Sequence, residues 1–162
     1  MKVRLDNTDW KILAELQQNG RITNVELAKR IGISAPACLR RVRALEKEGL
    51  ITEYRALLNA PALGYDLTVF AMVSLSSTKD TDILAFEERM KTNSVVRECY
   101  LLSGEVDFLL KCTTKDLADF QAFVINELTS LPMVGHVTTA LTMRETKNEP
   151  AIPIEENRGP DD

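Results

Sequence analysis

One stretch constrains this chain more than any other: Asn24-Val-Glu-Leu-Ala-Lys-Arg-Ile-Gly-Ile-Ser-Ala-Pro-Ala-Cys-Leu-Arg-Arg-Val-Arg-Ala-Leu-Glu-Lys-Glu48. It reads as a short helix, a tight turn and a longer helix. Ala28 puts a small side chain where two helices cross, and Gly32 supplies the left-handed residue that stops the first of them. Ser34 is a natural N-cap, and Pro36 fits a helix only in its first turn. Leu39, Val42 and Leu45 make one face of the second helix apolar. Arg40, Arg43 and Lys47 share another face, with Arg41 beside them. A rigidly held helix with a cationic face and small residues at its N-terminus fits the major groove of DNA. An ordinary helical hairpin with a solvated basic face has the same pattern, so the flanks must decide.

Upstream, Asp6 or Asn7 can cap a helix whose apolar face is Trp10, Leu13 and Leu16, with Ile12 beside it. Asn19-Gly20 ends it, since both residues tolerate a left-handed backbone. Thr23 and Glu26 have capping-box spacing, which starts the next helix at Asn24. Downstream, Leu50 to Asn59 holds β-branched and large apolar residues with a turn near Tyr54-Arg55, predicting a short strand pair. Three helices followed by such a pair make a winged helix-turn-helix. Pro61 and Gly64 mark a connection after it.

The net charge of −4 argues against a nucleic-acid partner, but its distribution reverses that inference. Residues 1–60 carry eleven Lys/Arg against seven Asp/Glu, and residues 61–162 carry nine against seventeen. Only the first part is suited to phosphates. No apolar run approaches the ~20 residues that span a bilayer, and no signal-like segment opens the chain. Cys38, Cys99 and Cys112 are scattered, without metal-ligand spacing. Buried, reduced thiols in a cytoplasm are expected. His136 is the single histidine, so one chain offers no His-based dyad or multi-His metal site.

The rest alternates between the two periods. Strands are predicted at Leu67 to Leu75, Val95 to Leu102, Val106 to Thr113 and Val137 to Met143. Helices are predicted at Asp80 to Met90, capped by Asp80 or Thr81, and at Asp116 to Leu128. Ser103-Gly104-Glu105 turns a hairpin, and Pro132 and Gly135 break the chain before the last strand. The order βαββαβ is the ferredoxin-like sandwich, so the fold class is α+β. Its antiparallel sheet leaves one face uncovered, which calls for a dimer through the sheets. The expected layout is a DNA-binding domain at 1–60, a linker at 61–66, a βαββαβ domain at 67–147 and an acidic, flexible tail at 148–162.

This combination resembles the leucine-responsive/asparagine-responsive (Lrp/AsnC) family of bacterial regulators over nearly all of residues 4–147. The resemblance is carried by Leu5-Asp-Asn-Thr-Asp-Trp-Lys-Ile-Leu13, Gly20-Arg-Ile-Thr-Asn-Val-Glu-Leu-Ala28, Cys38-Leu-Arg-Arg-Val-Arg-Ala-Leu-Glu-Lys-Glu-Gly-Leu-Ile51 and Glu98-Cys-Tyr-Leu-Leu-Ser-Gly-Glu-Val-Asp-Phe-Leu-Leu-Lys111. Ala151-Ile-Pro-Ile154 also looks like the short apolar end of many members. One departure is visible: family members often have proline directly after the cap serine, whereas Ala35 intervenes here.

The resemblance implies a transcription factor that binds double-stranded DNA, responds to an amino acid, and assembles from homodimers into tetramers or octamers. It implies no enzyme activity, no cofactor and no membrane. Arg40, Arg41, Arg43 and Lys47, with Arg55 on the wing, are the phosphate candidates. Asn24, Ser34, Ala35 and Ala37 complete the expected DNA-binding set, the last three placed to approach base edges. The family's effector region maps onto Leu102, Ser103, Gly104 and Asp107, and onto Met133, Val134, Thr138 and Thr139. Backbone N–H groups near Gly104 would hold the effector's carboxylate and Asp107 its ammonium. The alternatives are an architectural DNA-binding protein without an effector, or a tetrapyrrole decarboxylase on the same fold. The second would need basic and histidine residues clustered in the C-terminal part, which is acidic and holds a single histidine.

Overall fold

The structure, a computed structural model, describes residues 4–154. It divides into two compact units, one running to Leu57 and including the segment from Asn148, the other spanning Leu58–Lys147.

The first unit holds three helices: α1 (Asn7–Gln18), α2 (Asn24–Ile31) and α3 (Ala35–Lys47). Asp6 caps α1 in a reciprocal box with Asp9, each side chain taking the other's backbone N–H at 2.9 and 3.1 Å. Thr23 caps α2 through the Glu26 N–H, and Gly32, at φ 80°, ends it. The core is Ile12, Leu27, Ala28, Cys38 and Leu45, with Leu13, Leu16, Ile33, Val42 and Ile51 packed around it.

Four expectations change here. Cys38, not Leu39, completes the buried face of α3, because 38, 42 and 45 keep helical phase while Leu39 is half exposed. Ile12 rather than Trp10 is the fully buried side chain of α1. Asn19-Gly20 does not turn left-handed: Asn19 sits at φ −145°, and its side chain instead accepts the Arg21 N–H. A Cβ on Gly20 would stand 3.4 Å from the Tyr54 ring, so closeness to that ring, rather than a positive φ, favours glycine there. Finally, residues 52–59 form no strand pair. The segment runs without a ladder, with Leu57 77% and Leu58 72% exposed. Two arms of three or four residues have too little apolar surface to hold an isolated hairpin.

The second unit contains β1 (Leu67–Leu75), α4 (Asp80–Thr92), β2 (Val96–Leu101), β3 (Phe108–Thr114), α5 (Leu117–Phe123) and β4 (Val134–Leu141). A one-turn helix at Pro61–Leu63 precedes β1, and α5 continues as a wider turn over Val124–Leu128. All pairings are antiparallel, in the order β2-β3-β1-β4. Val69, Ala71 and Val73 of β1 and Phe108, Leu110 and Cys112 of β3 face the two helices, where Phe86, Met90, Phe120, Phe123 and Leu128 close the core. This is a period-two pattern on a sheet covered on one side. Phe86 and Phe108 meet as a tilted pair with centroids 4.5 Å apart. Burial pushes the Cys112 thiol up to about 12, which makes it a packing group.

Lys79, rather than Asp80 or Thr81, occupies the N-cap of α4 and makes no side-chain bond there. β4 begins three residues before its expected start. Gly135, expected to break the chain, lies inside the strand: Ser74 pairs with His136 and Leu75 with Val134, so Gly135 is the extra residue of a bulge. A Cβ there would meet Ser76 Oγ at 3.1 Å and Ser76 N at 3.3 Å, so close approach favours glycine. The expected loose tail is docked from Asn148 to Ile154 on the first unit; the rest of it lies outside the described residues.

Candidate DNA-binding and effector sites

α3 is seated by its N-terminal neighbours. Ser34 takes the N-cap backbone conformation, but its hydroxyl makes no capping bond and is left exposed beside the first turn. Asn24, at the start of α2, donates from Nδ2 to the Ala35 carbonyl at 2.8 Å and so ties α2 to the first turn of α3. Its amide is engaged inside the motif instead of facing DNA. Ala35 and Ala37 are half-buried at that end, and Pro36 removes a side-chain donor and a backbone N–H from it.

Farther along, Arg40, Arg43 and Lys47 repeat at helical spacing on the exposed side. Among the described residues none of the three has an acidic partner. Arg41 does not join them. Its Nη1 donates to Asp6 Oδ2 and Asp9 Oδ1, both at 2.8 Å, which pins α3 to the cap of α1. Those carboxylates raise the Arg41 pKa. Burial pushes the Asp6 carboxyl up, but the Asp9 N–H and Arg41 outweigh it and hold the carboxyl below its ordinary range. Arg55, 76% exposed, pairs with Glu53 at 2.6 Å. The unpaired cations of α3 therefore form a stripe down the helix, and Arg41 is the bracket behind it.

In the second unit, Leu102–Asp107 and Met133–Val134 come to the same end of the sheet, on either side of the end of β1. Asp107 is the centre of that end. Its backbone N–H donates to the Val73 carbonyl at 3.0 Å, and its carbonyl accepts the Leu102 N–H at 2.8 Å. Its Oδ2 accepts the Leu75 N–H at 2.7 Å. Across β1, the Ser76 N–H donates to the Met133 carbonyl at 2.8 Å. Ser103 and Gly104 are exposed at the hairpin tip. Thr138 and Thr139 lie farther along β4, opposite Met72 and Ala71, and point to opposite faces of the sheet. Thr138 shares a hydrogen bond with His136 Nε2 at 3.1 Å. Sequence reasoning missed Ser76 and read Gly135 as a breaker; a glycine inside a strand pattern is the signal that finds such a bulge.

The open side of the sheet carries Phe70, Met72, Leu109 and Tyr100. Between them Glu98 accepts from Tyr100 at 2.8 Å and from Lys111 at 3.1 Å. Burial raises the Glu98 pKa, but those two donors bring it below the ordinary value. Among the described residues there is no group of three or more potential metal ligands, and no helix is long and apolar enough to cross a membrane.

A cationic helix set on a helix-turn-helix, followed by a separate α+β sandwich, is the build of a two-domain DNA-binding regulator. Residues 5–52 match the winged helix-turn-helix DNA-binding family, and residues 68–152 match the Lrp/AsnC ligand binding domain. The chain is 55% identical over 154 residues to the leucine-responsive regulatory protein of Rhizobium meliloti, covering 95% of this chain and 99% of that one. It is 35% identical to the transcriptional regulator AzlB of Bacillus subtilis, covering 96% and 99%. Among solved structures, a Neisseria meningitidis transcriptional regulator in complex with L-Met superposes with a TM-score of 0.88 at 36% identity, covering 92% and 96%. The protein belongs to the Lrp/AsnC family of transcriptional regulators.

Proposed function

We propose that the protein binds operator DNA through the exposed stripe of α3 and changes its assembly when an amino acid binds at the end of β1. The stripe carries the DNA half of the reading: Arg40, Arg43 and Lys47 have no acidic partner among the described residues to displace before meeting phosphates. The unbonded Ser34 hydroxyl, with Ala35 and Ala37, lies where base edges would approach. Arg41 and Asn24 act from behind, as positioning residues.

The amino acid is supported by chemistry at the other end. The tip Ser103-Gly104 exposes backbone N–H groups suited to a carboxylate, and Asp107 supplies a negative charge for an ammonium. Oδ2 of Asp107 already holds the Leu75 N–H, so an ammonium would be met by the rest of the carboxylate. The L-Met bound to the Neisseria relative supports the same ligand class. The uncovered face with Phe70, Met72 and Leu109 supports a homodimer through the sheets, and the exposed Leu57-Leu58 a second area of self-contact. Ligand between dimers then shifts the balance of assemblies by its differential affinity for them. This reading makes the chain a cytoplasmic regulator and not an enzyme.

Analytical ultracentrifugation with and without each of the twenty amino acids at millimolar concentration tests it. The expected result is a change in assembly with one or a few of them, abolished in Asp107→Asn. No change with any amino acid overturns the effector half and leaves DNA binding standing.

A further inference from the structure

The segment after β4 is gripped rather than trailing. Gln17, on the last turn of α1, bonds both polar groups of one residue in that segment: the Ile152 N–H donates to Oε1 at 3.0 Å, and Nε2 donates to the Ile152 carbonyl at 3.2 Å. A primary amide is a neutral side chain that carries donor and acceptor side by side, so it can present to an extended backbone what a neighbouring strand would. Pro150 and Pro153 bracket Ala151-Ile152 and restrict the backbone on either side, which lowers the entropy lost on docking. Ile154 is half-buried, and a cavity of about 800 Å³ remains between the segment and Trp10, Leu13, Tyr54 and Leu57. Ile152 itself is 64% exposed. The seat is specific in hydrogen bonding but shallow in burial, as a contact that opens and closes must be.

Connectivity gives that contact a use. The chain enters the second unit after Leu57 and leaves it at Lys147, returning to the first. The first unit is therefore held by one covalent junction and by one releasable segment. That segment is the continuation of β4, whose first residues frame the end of β1.

We propose that Asn148–Ile154 is a strap, recognised in the same chain by Gln17, whose docking restrains the DNA-binding unit and whose release frees it. Its use by a ligand at the end of β1 rests on the reading of the preceding section; the docking does not.

Hydrogen exchange on the full chain tests the docking. In Gln17→Ala the Ile152 amide and residues 50–57 should exchange about tenfold faster or more, while α3 and the sheet stay unchanged. A chain ending at Lys147 should show the same change in residues 50–57, and excess synthetic peptide of residues 148–154 should reverse it. Equal exchange in all three proteins overturns the strap. Protection that disappears on dilution to the monomer places the segment on a second copy and overturns docking within one chain. A second arm adds L-leucine or L-methionine. Gln17→Ala should keep the heat of binding seen by calorimetry but lose at least fivefold of the ligand's effect on DNA affinity; an unaltered effect overturns the strap's regulatory use. If the full chain binds none of the twenty amino acids, the effector reading fails, and the exchange experiment still decides the strap.

Discussion

α3 and the end of β1 present charge in opposite ways. Arg40, Arg43 and Lys47 project from a helix with no acidic partner among the described residues, whereas Asp107 is already bonded through Oδ2 to the Leu75 N–H and through its backbone to Val73 and Leu102. A free stripe, where each cation acts nearly alone, suits a polyanion with repeating phosphates. A charge whose position is fixed by the fold suits a small ligand with one ammonium. The first site tolerates mobility and the second does not. Substitutions at the first should therefore change binding with little effect on stability, and at the second those that remove a hydrogen bond should change both.

The largest effect is expected from removing the stripe. Arg40→Ala/Arg43→Ala/Lys47→Ala should weaken operator binding by roughly 100-fold or more and flatten the slope of log affinity against log salt by about 2 to 3. Fluorescence anisotropy over a salt series measures both, and the melting temperature should hold. A triple variant that binds DNA normally would make α3's stripe a solvated surface and erase the contrast.

The end of β1 should respond through its packing. Gly135→Val drives a side chain into the Ser76 backbone, at 3.3 Å already from the Cβ position, and should cost about 1–3 kcal/mol in chemical denaturation. Asp107→Ala leaves the Leu75 N–H without its acceptor and should cost about 1–2 kcal/mol. Asp107→Asn keeps an oxygen for that N–H but no charge, so it should preserve stability within about 0.5 kcal/mol while losing amino-acid binding. Equal amino-acid binding by wild type and Asp107→Asn would assign this residue to structure alone.

How much of this was legible in the sequence follows from the same contrast. Helical phase put Arg40, Arg43 and Lys47 on one face, and period two read the strands of the sheet. The phase of Arg41 was equally plain, but not its partners: Asp6 and Asp9 lie more than thirty residues away, and only the packing of α1 on α3 brings them close. The strand pair expected near Tyr54 failed because local propensity cannot supply a surface for Leu57 and Leu58 to pack on. The bulge at Gly135 was hidden by reading glycine as a breaker, when its reason is the backbone of Ser76 across the strand. The tail read as loose on composition, since the matching amide of Gln17 is 135 residues distant.

The smallest effect lies at the bracket behind the stripe. Arg41→Ala should leave operator affinity nearly unchanged and lower stability by about 1 kcal/mol, because the bonds to Asp6 and Asp9 are partly open to solvent. It should also carry a pH signature. The Asp6 carboxyl is held below its ordinary value of 3.8 in the folded chain, so its contribution to stability is fully present above that value. That contribution is lost as pH falls through the lower, folded value, when Asp6 takes up a proton and no longer pairs with Arg41. Denaturation curves from pH 6 down to pH 2 should therefore converge for wild type and Asp6→Asn at the acid end and separate above pH 4. Adding Arg41→Ala to both proteins should narrow the gap between them. A wild-type curve parallel to that of Asp6→Asn throughout would mean that the ion pair adds nothing, and that α3 is seated by its apolar face alone.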